Sequence, residues 1–214
     1  MAITEKNFSS RNRKNQTEFR KRQLIEATID CIDKTGISQI TLARIARQAG
    51  LSQGNLIFHF HSKEELLEQT LHSLNNEYCE NWQQALTSAA DDPVARLRAL
   101  VKSSFASKIC NRKKIGAWFA YWGESRSRPV YMKICGASDK AFSQQLFAQC
   151  RDVEAIYGSN LAAETATISI ETMIDGLWQY LLIGEENFNR KKAEEKVFEL
   201  VRSIFPAVSD GLVP

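Results

Sequence analysis

Proline is absent from the first 92 residues of this 214-residue chain, and glycine is sparse, with 10 in all. No segment alternates apolar and polar residues as a half-buried strand would, so the pattern predicts an all-α fold. No apolar run approaches the roughly 20 residues that span a bilayer, and the charged N-terminus is not followed by an apolar signal segment. A soluble, cytoplasmic protein with no membrane partner is expected. The five cysteines, Cys31, Cys79, Cys110, Cys135 and Cys150, are odd in number, scattered and without a C-x-x-C pair. That argues against a disulfide framework or a structural zinc, and nothing in the sequence marks a lowered thiol pKa. There is no nucleophile–base signature, phosphate loop or metal-ligand spacing, so neither enzymatic activity nor a cofactor is expected.

What is present is enough apolar residue, 43%, to bury a sizeable core. The net charge of +3 is unevenly spread. Residues 1–63 hold 11 Lys and Arg against 5 Asp and Glu, giving +6, and the remainder holds 17 against 20, giving −3. Arg11, Arg13, Lys14, Arg20, Lys21 and Arg22 cluster before the first helix with only Glu18 among them. This is a polyanion-facing N-terminus on a mildly acidic body, or equally a solvated, partly disordered tail; basic arms often order on DNA, so both readings stand.

The stretch TLARIARQAGLSQGNLIFHFHSK, residues 41–63, is dense with helix punctuation. Thr41 suits an N-cap, Leu42, Ile45, Ala46 and Ala49 fall at helical spacing, and Gly50 suits the left-handed residue that ends a helix. A second helix starts at Ser52. A further one starts at Ser62, where Ser62 and Glu65 have the spacing of a capping box. The result is a helix-turn-helix, a unit that binds DNA in some proteins and merely turns a corner in others. The preceding helix is predicted from about Thr17 to Lys34, burying Phe19, Leu24, Ile25, Ile29 and Ile32 and ending at Gly36.

Beyond it, a long fourth helix should run from Ser62 to the Ala89 region. Asp92 and Pro93 start another, with Val94, Leu97, Leu100, Val101 and Phe105 as its stripe. A helix carrying KIGAWFAYWGES should end at the turn from Ser125 to Pro129, with others over about 130–157, 160–183 and 187–204, making about nine in all. Gly176, in the middle of the apolar segment 168–182, costs roughly 1 kcal/mol against alanine, which suggests a close backbone approach and a helix–helix dimer interface, the other reading being an ordinary core helix.

The run from Thr41 to Lys63, with its Gly50-Leu51 turn, Gly54-Asn55-Leu56, His59-Phe60 and Lys63 followed by Glu64 and Leu66, resembles the DNA-binding segment of the TetR family of bacterial transcriptional regulators, over residues 17–70. The resemblance implies a homodimer with a basic arm and helix-turn-helix domain at 1–61 and a ligand-binding and dimerisation domain at 62–214. It implies that the helix from Ser52 enters the major groove of a near-palindromic operator, its DNA-facing residues being Arg44, Ser52, Gln53, Gly54, Asn55, Phe58, His59 and Lys63. Gln53 and Asn55 are then the candidates for base edges, Gly54 lets the backbone approach closely, and Lys63 matches a phosphate-contacting lysine at the positive end of the fourth helix. One departure is plain: where the family commonly has tyrosine after the leucine matching Leu56, this chain has Ile57 and then Phe58. A phenolic phosphate contact is lost unless His59 or His61 replaces it, and that His-x-His pair lacks the third ligand a metal site needs.

Trp118, Tyr121 and Trp122 share a helical face, with Phe119 alongside and Trp178 and Tyr180 later in the chain. Such a cluster is either plain core or the cage that a quaternary ammonium needs, each ring face worth about 0.5 to 2 kcal/mol. The stretches K114-I-G-A-W-F-A-Y-W-G-E124, R128-P-V-Y131 and I174-D-G-L-W178 resemble the C-terminal domain of the BetI-type repressors, which control conversion of choline to glycine betaine. That narrower resemblance implies choline or a related compound as effector. Trp118, Tyr121, Trp122 and Trp178 are then cage candidates, with Asp175 or Glu124 as counter-charge. A repressor of the same fold sensing an unrelated apolar molecule is the alternative, and an architectural DNA-binding protein is disfavoured because it would be basic throughout.

Overall fold

The computed structural model describes residues 2–124, 129–184 and 189–212, with side chains from residue 15 onward. Among these residues are nine α-helices, two short 3-10 turns and no strand. The helices are α1 (Ala2–Thr35), α2 (Leu42–Gln48), α3 (Gln53–His59), α4 (Lys63–Ser88), α5 (Pro93–Ser104), α6 (Arg112–Glu124), α7 (Pro129–Tyr157), α8 (Ala163–Ile183) and α9 (Arg190–Ile204). The side chains of Arg11, Arg13 and Lys14, and the expected turn at 125–128, lie outside the described residues. The chain divides into two compact units, Met1–Ser73 and Leu74–Pro214, and the division falls within α4.

In the first unit α1, α2 and α3 pack on one another around Leu24, Ile32, Ile45, Leu56 and Phe60. α1 begins well before the expected Thr17, because nothing in residues 2–16 breaks a helix. Phe19, expected in the core, is 57% exposed. It stands five residues before Leu24, about 140° round the helix, and its ring lies under the Arg20 guanidinium, 5.9 Å from the centroid. The turn between α2 and α3 is a Schellman motif. Leu51 N–H donates to Ala46 C=O at 2.9 Å and Gly50 N–H to Arg47 C=O at 3.1 Å, with Gly50 at φ 66°. Gln23 Nε2 ties α1 to the end of α2 through the Ala49 carbonyl, at 2.7 Å. A Cβ on Gly50 would meet nothing within 4 Å, so the cost of substitution there is backbone strain alone. Gly50→Ala is expected to lower stability by about 1 kcal/mol, read as a shift of the urea midpoint at unchanged slope.

The second unit is a helical layer in which α8 packs on α6, α7 and α9, and α5 on α7 and α9. Asp92 caps α5 through Ala95 N–H at 2.7 Å, and the stripe Val94, Leu97, Leu100, Val101 and Phe105 is buried as its spacing requires. Gly176 is exposed, and no neighbour lies within 4 Å of where its Cβ would stand. The close approach does not come from within this chain. Gly176 instead sits on an outward row of α8 with Ile168, Thr172 and Tyr180, next to the 73%-exposed Ile183. No helix among the described residues is long and apolar enough to cross a membrane.

Candidate functional site

Two groups of side chains carry chemistry, one in each unit. In the first, Thr41 Oγ1 accepts from Arg44 N–H at 3.3 Å and Ser52 Oγ from Asn55 N–H at 3.1 Å, so both short helices start where their caps lie. Ser62 Oγ accepts from Glu65 N–H at 3.0 Å, but Glu65 reaches one residue further back than a capping box predicts. Its carboxylate takes the His61 backbone N–H at 3.0 Å and faces His61 Nδ1 at 2.9 Å. Those bonds to His61 hold its carboxyl below the ordinary range.

These caps fix what α3 presents outward: Ser52, Gln53, Gly54, Ile57 and Phe58 are exposed. Asn55 is half-buried, and its Oδ1 is enclosed without a hydrogen-bond partner. His59 is buried, with its ring 5.1 Å from that of Phe58 at 78°, and His61 is the exposed member of the pair. Burial, then the nearby Lys21 and Arg20, push the His59 pKa down, so the imidazole is neutral at physiological pH. Arg44 and Lys63 are half-buried. A Cβ on Gly54 would meet only Ser52 Oγ, at 3.9 Å. The fold therefore has room for a side chain at this position.

In the second unit, α4, α6, α7 and α8 enclose a pocket of about 420 Å³, within the range of small-molecule sites. Its wall holds Trp118 and Trp122 of α6, Trp178 and Ile174 of α8, Tyr78 of α4, and Tyr131 and Phe142 of α7. Trp118 and Trp122 lie 6.3 Å apart and tilted by 38°, and Tyr78 meets Trp118 edge-on at 6.2 Å. Trp178 is anchored by its indole N–H donating to the Ser104 carbonyl at 3.1 Å. Trp122 donates to the Tyr131 hydroxyl at 2.5 Å, which donates on to Asp139 Oδ2 at 3.3 Å, so a ring face and a carboxylate are set by one chain of bonds.

Four of the five expected ligand residues thus come together. Tyr121 does not join them: it lies about 100° round α6 from Trp122, is buried, and is not part of the lining. Glu124, the last residue of α6, is also outside the wall. Sequence reasoning missed Tyr78, Tyr131, Phe142 and two carboxylates, Asp139 and Glu171. The available signal was spacing: Glu171 and Asp175 stand at i, i+4 on the row beside Ile174 and Trp178.

The lining holds three carboxylates, Asp139, Glu171 and Asp175, against one base, Lys140. Asp139 and Asp175 are exposed to solvent and Glu171 is half-buried, but the protein packed around them still disfavours their charged forms. Burial first, then repulsion from Glu171 and Asp139, lifts Asp175 to about 6. Burial raises Asp139 and Glu171 as well, against the opposing hydrogen bonds of Tyr131 and of Ser143, the latter at 3.3 Å. An anionic site walled by ring faces stabilises an incoming cation. The buried thiols take no part in such chemistry: burial pushes Cys110, Cys135 and Cys150 up to about 12.

Comparison with known proteins matches residues 93–206 to the model of the BetI-type transcriptional repressor C-terminal domain, and residues 24–70 to that of the bacterial regulatory proteins of the tetR family. The chain is 31% identical to the HTH-type transcriptional regulator BetI of Yersinia pestis over 82% of this chain and 87% of that protein. It belongs to the BetI-type transcriptional repressors of the TetR family. The BetI regulator of Paraburkholderia phytofirmans is 30% identical over 82% of this chain and 88% of that one. These are regulators of transcription, not enzymes. Among solved structures, a regulator from Saccharomonospora viridis in complex with choline shares the fold at 19% identity, with a TM-score of 0.74 over 85% of this chain and 95% of that one. A regulator from Pseudomonas aeruginosa shares it at 23% identity, with a TM-score of 0.73 over 92% and 95%.

Proposed function

We propose that this BetI-type repressor is a cytoplasmic homodimer that binds a near-palindromic operator and takes choline or a related quaternary ammonium compound as its effector. The observation that carries the effector is the pocket's pairing of Trp118, Trp122 and Trp178 with Asp139, Glu171 and Asp175. A trimethylammonium cannot donate hydrogen bonds, so ring faces and diffuse negative charge are what hold it. An apolar effector would cover three carboxylates that face one base, Lys140, without balancing their charge, at a cost the cation avoids. The choline complex of the Saccharomonospora regulator supports the same reading.

The operator reading assigns Gln53 to a base edge, Gly54 to close backbone approach and Lys63 to phosphate, with Arg44 and Ser52 beside them. Asn55, half-buried with its Oδ1 unpartnered among the described residues, is the second base-edge candidate, and the buried His59 packs beside Phe58. The outward α8 row of Ile168, Thr172, Gly176 and Tyr180 is the face we assign to the partner copy, whose backbone would lie against Gly176. α4 carries both Lys63 and the pocket's Tyr78, and is the element we assign to linking the sites. An effector that prefers one conformer lowers DNA affinity by that difference and no more.

Binding of full-length protein to fluorescently labelled duplexes, enriched on it from a random pool, tests this directly. DNA affinity should fall several-fold with saturating choline, and an operator affinity indifferent to millimolar choline would refute the effector assignment. In the same assay Lys63→Ala should reduce the slope of log affinity against log salt by about 0.9 for each copy bound. Gly54→Ala should leave thermal stability unchanged or slightly raised while weakening DNA binding several-fold.

A further inference from the structure

The outward surface of α3 is unlike that of a helix reading bases by hydrogen bonds alone. Of its exposed side chains only Ser52, at the cap, and Gln53 can hydrogen-bond; Ile57 is 45% and Phe58 76% exposed. Neither can donate to a phosphate, so neither serves the positioning role that a phenol would fill. Phe58 stands one helical turn after Gly54 and Ile57 one turn after Gln53, so each apolar group flanks a residue aimed at the DNA. Phe58 touches His59 through a ring edge and otherwise spends its surface on water, which the fold does not require. In a major groove, the base-edge feature that such surface recognises is the thymine 5-methyl group.

We propose that Phe58 and Ile57 are specificity-determining residues that read thymine methyl groups in each operator half-site, next to the base contacted by Gln53. This rests on the DNA-binding reading above. It makes part of the sequence preference apolar and insensitive to salt, in contrast to the phosphate contacts.

The test uses full-length protein and the duplex enriched on it from a random double-stranded pool. Each thymine of the selected site is replaced singly by uracil, which pairs identically but lacks the methyl. At one or two positions per half-site the wild-type protein should lose about fourfold in affinity. Phe58→Ala or Ile57→Ala should bind more weakly overall and lose that uracil sensitivity at the position each residue contacts. Both side chains are exposed, so circular dichroism of the variants should be unchanged. Tolerance of uracil everywhere by the wild-type protein overturns the proposal. Sensitivity that persists unchanged in both variants overturns it too. Failure to enrich any sequence is a different result: it removes the operator reading itself and this inference with it.

Discussion

Trp122→Ala should weaken choline binding by about 10- to 30-fold, equivalent to roughly 1.5–2 kcal/mol for the ring face and the contact area lost with it. The same substitution should cost much less for 3,3-dimethylbutan-1-ol, in which carbon replaces the quaternary nitrogen, because only burial and not ring electrostatics is then lost. Trp122 is the right residue to remove. It is half-buried and its indole N–H is bonded to Tyr131, whereas Trp178 is fully enclosed and bonded to the Ser104 carbonyl, so truncating Trp178 would unsettle the fold as well as the pocket. The freed Tyr131 hydroxyl can still donate to Asp139, which limits collateral change. Calorimetric titration of the two ligands into each protein gives the four affinities required. Equal losses for the cation and its neutral counterpart would show that Trp122 contributes area only.

The second large effect is on pH. Asp175 is raised to about 6, first by burial and then by Glu171 and Asp139, and it shares its pocket with Lys140 and Asp139 of α7 and Tyr78 of α4. A bound cation favours the ionised carboxylate and lowers that pKa, so binding below it must expel a proton. Affinity should be level above pH 7 and fall as pH drops through 6, by about tenfold between pH 7.5 and 5. The neutral analogue should bind with no such dependence. Asp175→Asn should flatten the profile in this window and weaken choline roughly tenfold at pH 7.5. In the free protein the sign is opposite. The folded state holds the proton more tightly than the unfolded chain, so this group's contribution to stability is greatest below about pH 4 and diminishes as pH rises to about 6. A profile unchanged by Asp175→Asn would place the titrating group elsewhere.

What was legible in the sequence was mostly local. Thr41, Ser52 and Asp92 cap the helices they precede, and Gly50 takes the left-handed conformation, because caps and turns are decided within four residues. Trp118, Trp122, Asp175 and Trp178 were visible because indole is rare and a carboxylate beside it is conspicuous. Tyr78 was not, since it is 40 residues from Trp118 and only tertiary packing brings α4 to the wall. Asp139 and Glu171 were missed for another reason: a carboxylate at helical spacing reads as a solvated face, and only the packing of α7 on α8 turns these inward. Phe19 was misjudged in the converse way: it lies on the outward side of its helix, where composition suggested burial.

The most direct test of the central claim is calorimetric titration of the full-length protein with choline and with 3,3-dimethylbutan-1-ol, at pH 7.5 and at moderate salt. Saturable binding of choline, at least tenfold tighter than the neutral isostere, is the expected result. Absence of heat at millimolar choline, or equal affinity for the two, would contradict a cation-binding pocket and return Trp118, Trp122 and Trp178 to the role of core residues.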